Sequence, residues 1–170
     1  EMPASLNKLR NLGARSEHIK NRRDHYANSL ELQMYAFSGE FDKGLIFAEK
    51  FKDQLDRGKL KVFLKQQKTL LYFNLAYVFF GAKKYSTANA CVNKILNDAS
   101  SDIISDVYCF TKILSLIIHY ELGNESLLES LVRSTYRYLY KRKQLYTYQS
   151  AVLEFIRKKM PKARTKKDLK

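Results

Sequence analysis

Between Pro3 and Pro161 the chain contains no proline. Proline breaks a helix more strongly than any other residue, because its ring fixes φ, removes a backbone donor and collides with the preceding turn. A proline-free stretch of this length, with only six glycines in 170 residues, points to a body built from helices. An apolar fraction of 45% is enough for a buried core, and the length suits one domain or a short run of repeats.

The glycines add a spacing. Gly39, Gly81 and Gly123 lie 42 residues apart each time, and periods of roughly 20–50 residues are the signature of solenoids. Each glycine closes an apolar helical pattern: "HYANSLELQMYAFSG", "TLLYFNLAYVFFG" and "TKILSLIIHYELG". Nine residues before the glycines stand Leu30, Tyr72 and Leu114; five before, Met34, Ala76 and Ile118; four before, Tyr35, Tyr77 and His119. Those offsets share one helix face. A second amphipathic segment follows each glycine: Phe41, Gly44, Ala48, Phe51 and Leu55; then Tyr85, Ala88, Val92 and Ile95; then Leu128, Leu131, Val132, Thr135 and Leu139. Ser126 and Glu129 have capping-box spacing at the start of the third, with Asn124 an alternative cap. The pattern predicts helices near 17–38, 40–56, 59–81, 84–97, 102–122, 125–142 and 144–159, with a short one near 5–12.

From Tyr72 to Ile95 the arrangement Tyr72-x-x-Leu75-Ala76-x-x-Phe79, then Tyr85, Ala88, Val92 and Ile95, resembles a tetratricopeptide repeat. Tyr35, Gly39, Phe41 and Gly44 repeat part of it, whereas Glu125 and Leu128 stand where an aromatic and a small residue belong. The period of 42 is longer than the family's. The resemblance implies a degenerate array over roughly Tyr26 to Phe155, an all-α, right-handed α-α superhelix of about three helix hairpins, of the kind found in bacterial proteins. It also implies a non-enzymatic scaffold that binds a protein or peptide on its free curved surface. In the family's carboxylate-clamp version, paired basic and Asn residues on the first helices hold the ligand; here Asn28, Lys65, Lys68 and Asn74 are the candidates.

Residues 1–16 read as a lead-in or the end of an upstream region, 17–159 as the repeat domain and 160–170 as a basic, disordered tail, and the start at Glu1 reads as the C-terminal part of a longer chain. No run of about 18 uncharged apolar residues suggests a membrane span. Cys91 and Cys109, isolated within helical patterns, read as buried small hydrophobes in a reducing, cytoplasmic setting. His18, His25 and His119 lack metal-type spacing, no nucleotide or nucleophile motif occurs, and no cofactor is implied. His119 reads as a packing residue. The aromatic group Tyr72, Phe73, Tyr77, Phe79 and Phe80 is too broad for one stripe and reads as a central helix touched from several sides.

The net charge of +14 is uneven: residues 24–130 sum to −1, whereas residues 131–170 hold thirteen basic and two acidic side chains. The alternative partner is therefore nucleic acid or another polyanion, gripped by Arg133, Arg137, Tyr140, Lys141, Arg142, Lys143 and the tail. "RSTYRYLYKRKQLYTYQS" (Arg133–Ser150) mixes tyrosines with basic residues, but a helix separates much of the mixture. Leu128, Val132, Thr135 and Leu139 fall on one side with Leu131 and Tyr136 beside them, and Arg133, Arg137 and Lys141 fall opposite as a ridge. Of the tyrosines, Tyr140 and then Tyr146 are left as candidates for exposed stacking groups.

Overall fold

The computed structural model describes residues 2–57, 65–98, 105–141 and 147–159. These form eight α-helices and, among the described residues, no strand: α1 (Met2–Asn11), α2 (Glu17–Ser38), α3 (Phe41–Asp56), α4 (Lys65–Gly81), α5 (Tyr85–Leu96), α6 (Ser105–Glu121), α7 (Glu125–Lys141) and α8 (Thr147–Lys159). The chain divides into two compact units, Glu1–Asp98 and Ala99–Lys170. Arg142, Lys143, Tyr146 and the tail from residue 160 lie outside the described residues.

In the N-terminal unit the lead-in folds with the rest. Pro3 sits in the first turn of α1, where a missing N–H costs nothing, and α1 packs on α2. Ser16 starts α2 by accepting a hydrogen bond from the Ile19 N–H at 3.3 Å, the usual N-cap service. The short connections after α2 and α4 fold each helix back on its successor, giving the hairpins α2/α3 and α4/α5. α3 buries Gly44, Ala48, Phe51 and Leu55, and α5 buries Ala88, Cys91, Val92 and Ile95, each a single stripe at three- and four-residue spacing. α4 packs against α2, α3 and α5, so burial runs round it from Leu71 through Asn74, Leu75, Ala76, Val78 and Phe79. Removing each such Leu, Val or Phe from water contributes about 1.5–3 kcal/mol. At the edge of this core Asp56 accepts from Lys52 Nζ at 2.6 Å and from the Tyr72 hydroxyl at 2.9 Å, tying α3 to α4. Burial alone would raise the Asp56 pKa, but these two hydrogen bonds and the charges of Lys52 and Lys94 together outweigh it and hold the carboxyl below its ordinary range.

The C-terminal unit is a hairpin of α6 and α7 with α8 packed on α7. Its core is Cys109, Ile113, Leu116, Leu128, Val132, Leu139 and Leu153, flanked by Ile117, Tyr120, Leu131, Tyr138 and Val152.

The turns between paired helices correct the reading of the three glycines. The residue two before each second helix has a left-handed backbone, and it is Gly39 (φ 74), Lys83 (φ 60) and Gly123 (φ 74). After α4 and α6 the closure is the same: Lys84 N–H donates to Phe79 O and Lys83 N–H to Phe80 O, while Asn124 N–H donates to His119 O and Gly123 N–H to Tyr120 O. These are Schellman caps, whose left-handed residue glycine ordinarily supplies. Gly81 instead ends α4, and a Cβ there would stand 2.4 Å from the Phe41 ring. It is glycine because an aromatic ring lies on its backbone, and the equal spacing of the three glycines hides two different physical demands.

Candidate functional site

Of the carboxylate-clamp candidates, Asn28 lies on α2, where its Oδ1 accepts from Arg10 Nη2 of α1 at 3.1 Å. The same guanidinium pairs with Glu31, so α1 occupies this amide. Asn74 is buried at 3% exposure and presents nothing to solvent. Lys68 is half-buried on α4, and the side chain of Lys65 lies outside the described residues. The two amides are therefore not brought together on an open surface.

A different set of residues is. α2 carries a second apolar stripe, Ile19, Tyr26, Leu30 and Phe37, all exposed and Phe37 to 74%. At 100° per residue these four fall within about 40° of one another, on a different side from the buried Ala27, Leu32 and Ala36. α4 presents Leu70 and Tyr77, both exposed, with half-buried Phe73 between them. The two helices pack side by side, and Gln67 of α4 donates to the Tyr26 hydroxyl at 2.8 Å, which sets the α2 stripe alongside α4. Tyr77 is held by its neighbours, with ring centroids 6.3 Å from Phe73 and 6.4 Å from Phe41. The result is an apolar face on two neighbouring helices that also carries tyrosine hydroxyls, since tyrosine joins a packing ring to a polar tip. The sequence signal was present, a second stripe at seven- and four-residue spacing on one helix, but helical periodicity does not say which of two stripes is covered.

The tyrosines of the C-terminal unit divide by face. Tyr138 turns inward against Tyr108, with centroids 5.2 Å apart. The Lys112 ammonium lies 5.0 Å from the Tyr138 ring centre and 5.3 Å from that of Tyr108. Burial lowers the Lys112 pKa. Tyr136, placed by the helical pattern beside the inward stripe, is in fact exposed and stacks on Tyr140, centroids 5.9 Å apart and planes at 14°. Arg133, Arg137 and Lys141 are exposed on the same helix. Arg133 pairs with Glu129 at 2.7 Å, whereas Arg137 and Lys141 have no ion pair among the described residues.

His119 is buried, and Asn124 donates from Nδ2 to its Nδ1 at 2.9 Å, which leaves the ring proton on Nε2. Both cysteines are buried and neither is in a disulfide, and burial pushes the Cys91 thiol up to about 12. Among the described residues no three His, Cys, Asp or Glu side chains converge as a metal site would require. No helix among them is long and apolar enough to cross a membrane. Comparison of the chain with protein-family models, with curated proteins and with solved structures finds no match.

Proposed function

We propose that the protein is a non-enzymatic helical scaffold, a degenerate tetratricopeptide-like array, whose N-terminal unit docks an apolar segment of another protein on the α2–α4 face. One observation carries this: Tyr26, Leu30, Phe37, Leu70 and Tyr77 are all exposed on neighbouring helices. Scattered exposed hydrophobes are ordinary on any surface, but a contiguous group of large ones is the usual mark of a binding site. Helix-lined grooves take amphipathic helices through anchors at i, i+3, i+4 and i+7, and tyrosine and phenylalanine are favoured at interfaces because they give large contact areas for little lost freedom. The family reading is supported by the hairpins themselves. Each second helix buries its fourth residue, Gly44, Ala88 or Leu128. Two buried cysteines outside any disulfide fit a reducing compartment, and cytoplasmic residence belongs to the same proposal.

The test is selection from a random peptide display library against the intact chain and against a Leu30→Asp, Phe37→Asp double variant. Both positions are exposed, so the variant should keep its helical circular dichroism. The expected result is enrichment of peptides with spaced aromatic or aliphatic residues by the parent alone. Equal enrichment by both chains, or none by the parent, would remove the proposal.

A further inference from the structure

The exposed face of α7 carries two features that neither packing nor the docking surface of the N-terminal unit uses: a pair of parallel tyrosine rings and a row of cations beside it. Counting 100° per residue, Tyr136 and Tyr140 are about 40° apart, and Arg133, Arg137 and Lys141 occupy the adjoining arc of about 80°. Rings and cations therefore run as two neighbouring strips along the helix, about 12 Å from Arg133 to Lys141 at 1.5 Å per residue. Inward packing supplies no reason for the pair, because Tyr140 is 65% exposed and Tyr136 46%. Glu129 of the same helix pairs with Arg133 at 2.7 Å, but beyond it the charge is one-sided: residues 131–170 contain two acidic residues against thirteen basic ones.

We propose that this face binds single-stranded nucleic acid, the cations taking successive phosphates and the tyrosine pair stacking an unpaired base. The rings, 5.9 Å apart, are too close to admit a base between them, which would need roughly 7 Å, or two contact distances of about 3.5 Å. A base instead extends the stack on an outer ring face. That requires an unpaired base, since those of a duplex are already stacked, and aromatic platforms beside a positive track are how proteins hold single strands without reading sequence. The cations alone would attract any polyanion; the tyrosine pair is what selects a strand with free bases.

The experiment is fluorescence anisotropy of the full chain with a labelled oligothymidylate, a duplex of equal length and anionic phosphatidylserine vesicles, each over a range of salt. The single strand should bind more tightly than the duplex. Tyr136→Ala with Tyr140→Ala should weaken it by about fivefold or more without changing the salt dependence, and Tyr140→Phe, which keeps the ring, should bind as the parent does. Replacing Arg133, Arg137 and Lys141 by Gln should reduce the log–log salt slope by about 2, at about 0.7 per phosphate on a single strand. All the substituted side chains are exposed, so circular dichroism should be unchanged. The proposal is overturned if the alanine pair binds the single strand as the parent does, if duplex or vesicles bind as well as the strand, or if the strand does not bind at all.

Discussion

Replacing Gly81 by alanine puts a methyl carbon 2.4 Å from Cδ1 and Cγ of Phe41 and 2.5 Å from Cδ2, where ordinary carbon contacts are about 3.5–4.0 Å. The ring would have to retreat by roughly 1 Å. It has little room, being packed over the end of α4 and against Tyr77. Overpacking of this kind costs about 1–3 kcal/mol. Alanine's better helix propensity returns at most about 1 kcal/mol, and less at the last residue of a helix, so the net loss should be about 1–2 kcal/mol. The assay is amide hydrogen exchange in α4 and α5, which reads the opening of the N-terminal unit without assuming that the whole chain unfolds in one step. In a Phe41→Ala background the obstruction is gone, and Gly81→Ala should be neutral or slightly stabilising. An equal loss in both backgrounds, or a gain in the parent, would refute the assignment of Gly81 to close approach.

Four further outcomes are expected. Lys83→Gly should stabilise the N-terminal unit by about 0.5–1 kcal/mol, because a left-handed non-glycine backbone costs about 1–2 kcal/mol and glycine gives back part of this in unfolded-state entropy; thermal denaturation of the variant checks it. Stability should fall with acid below pH 6.5: burial lowers the pKa of His119 beneath its ordinary value of 6.5, and His25 is lowered mainly by burial, against a smaller opposing effect of Asp24. The unfolded chain then binds protons that the folded chain refuses, and its stability rises with pH across that window; urea denaturation from pH 7.5 to 5 should show this slope, and His119→Gln should flatten it. Cys91 should resist iodoacetamide in the native protein at pH 8, where a thiol with a pKa of about 12 is protonated and enclosed, and should react at once in denaturant. Arg10→Ala should free the Asn28 amide and detach α1, seen as faster exchange in α1 with little change in α3 or α5.

The helices could be read from the sequence because proline is missing from the body and the apolar residues recur at three and four, a pattern that fixes each element from its own residues. Phe41, Tyr85 and Leu128 announce the second helices in this way. Exposure was harder to read, because it depends on which neighbour covers a face. Tyr77 belongs to a helix packed on three sides, yet its ring reaches the surface, and Asn74, three residues earlier, is enclosed. Tyr136 borders the apolar stripe of α7 on a helical projection, but its ring is exposed and stacks on Tyr140. Asn28 is polar and sits at a plausible clamp position; its amide oxygen accepts from Arg10, eighteen residues earlier, which no local pattern connects to it.

The docking role of the α2–α4 face is tested most directly by hydrogen-exchange footprinting of the intact chain with a peptide selected against it. Slowed exchange in α2 between Tyr26 and Phe37 and in α4 between Leu70 and Tyr77, lost when Leu30 and Phe37 are replaced by Asp, is the outcome expected of an apolar ligand held by these side chains. Slowed exchange confined to α6–α8, or unchanged by the substitutions, would place the binding elsewhere and contradict the proposed function.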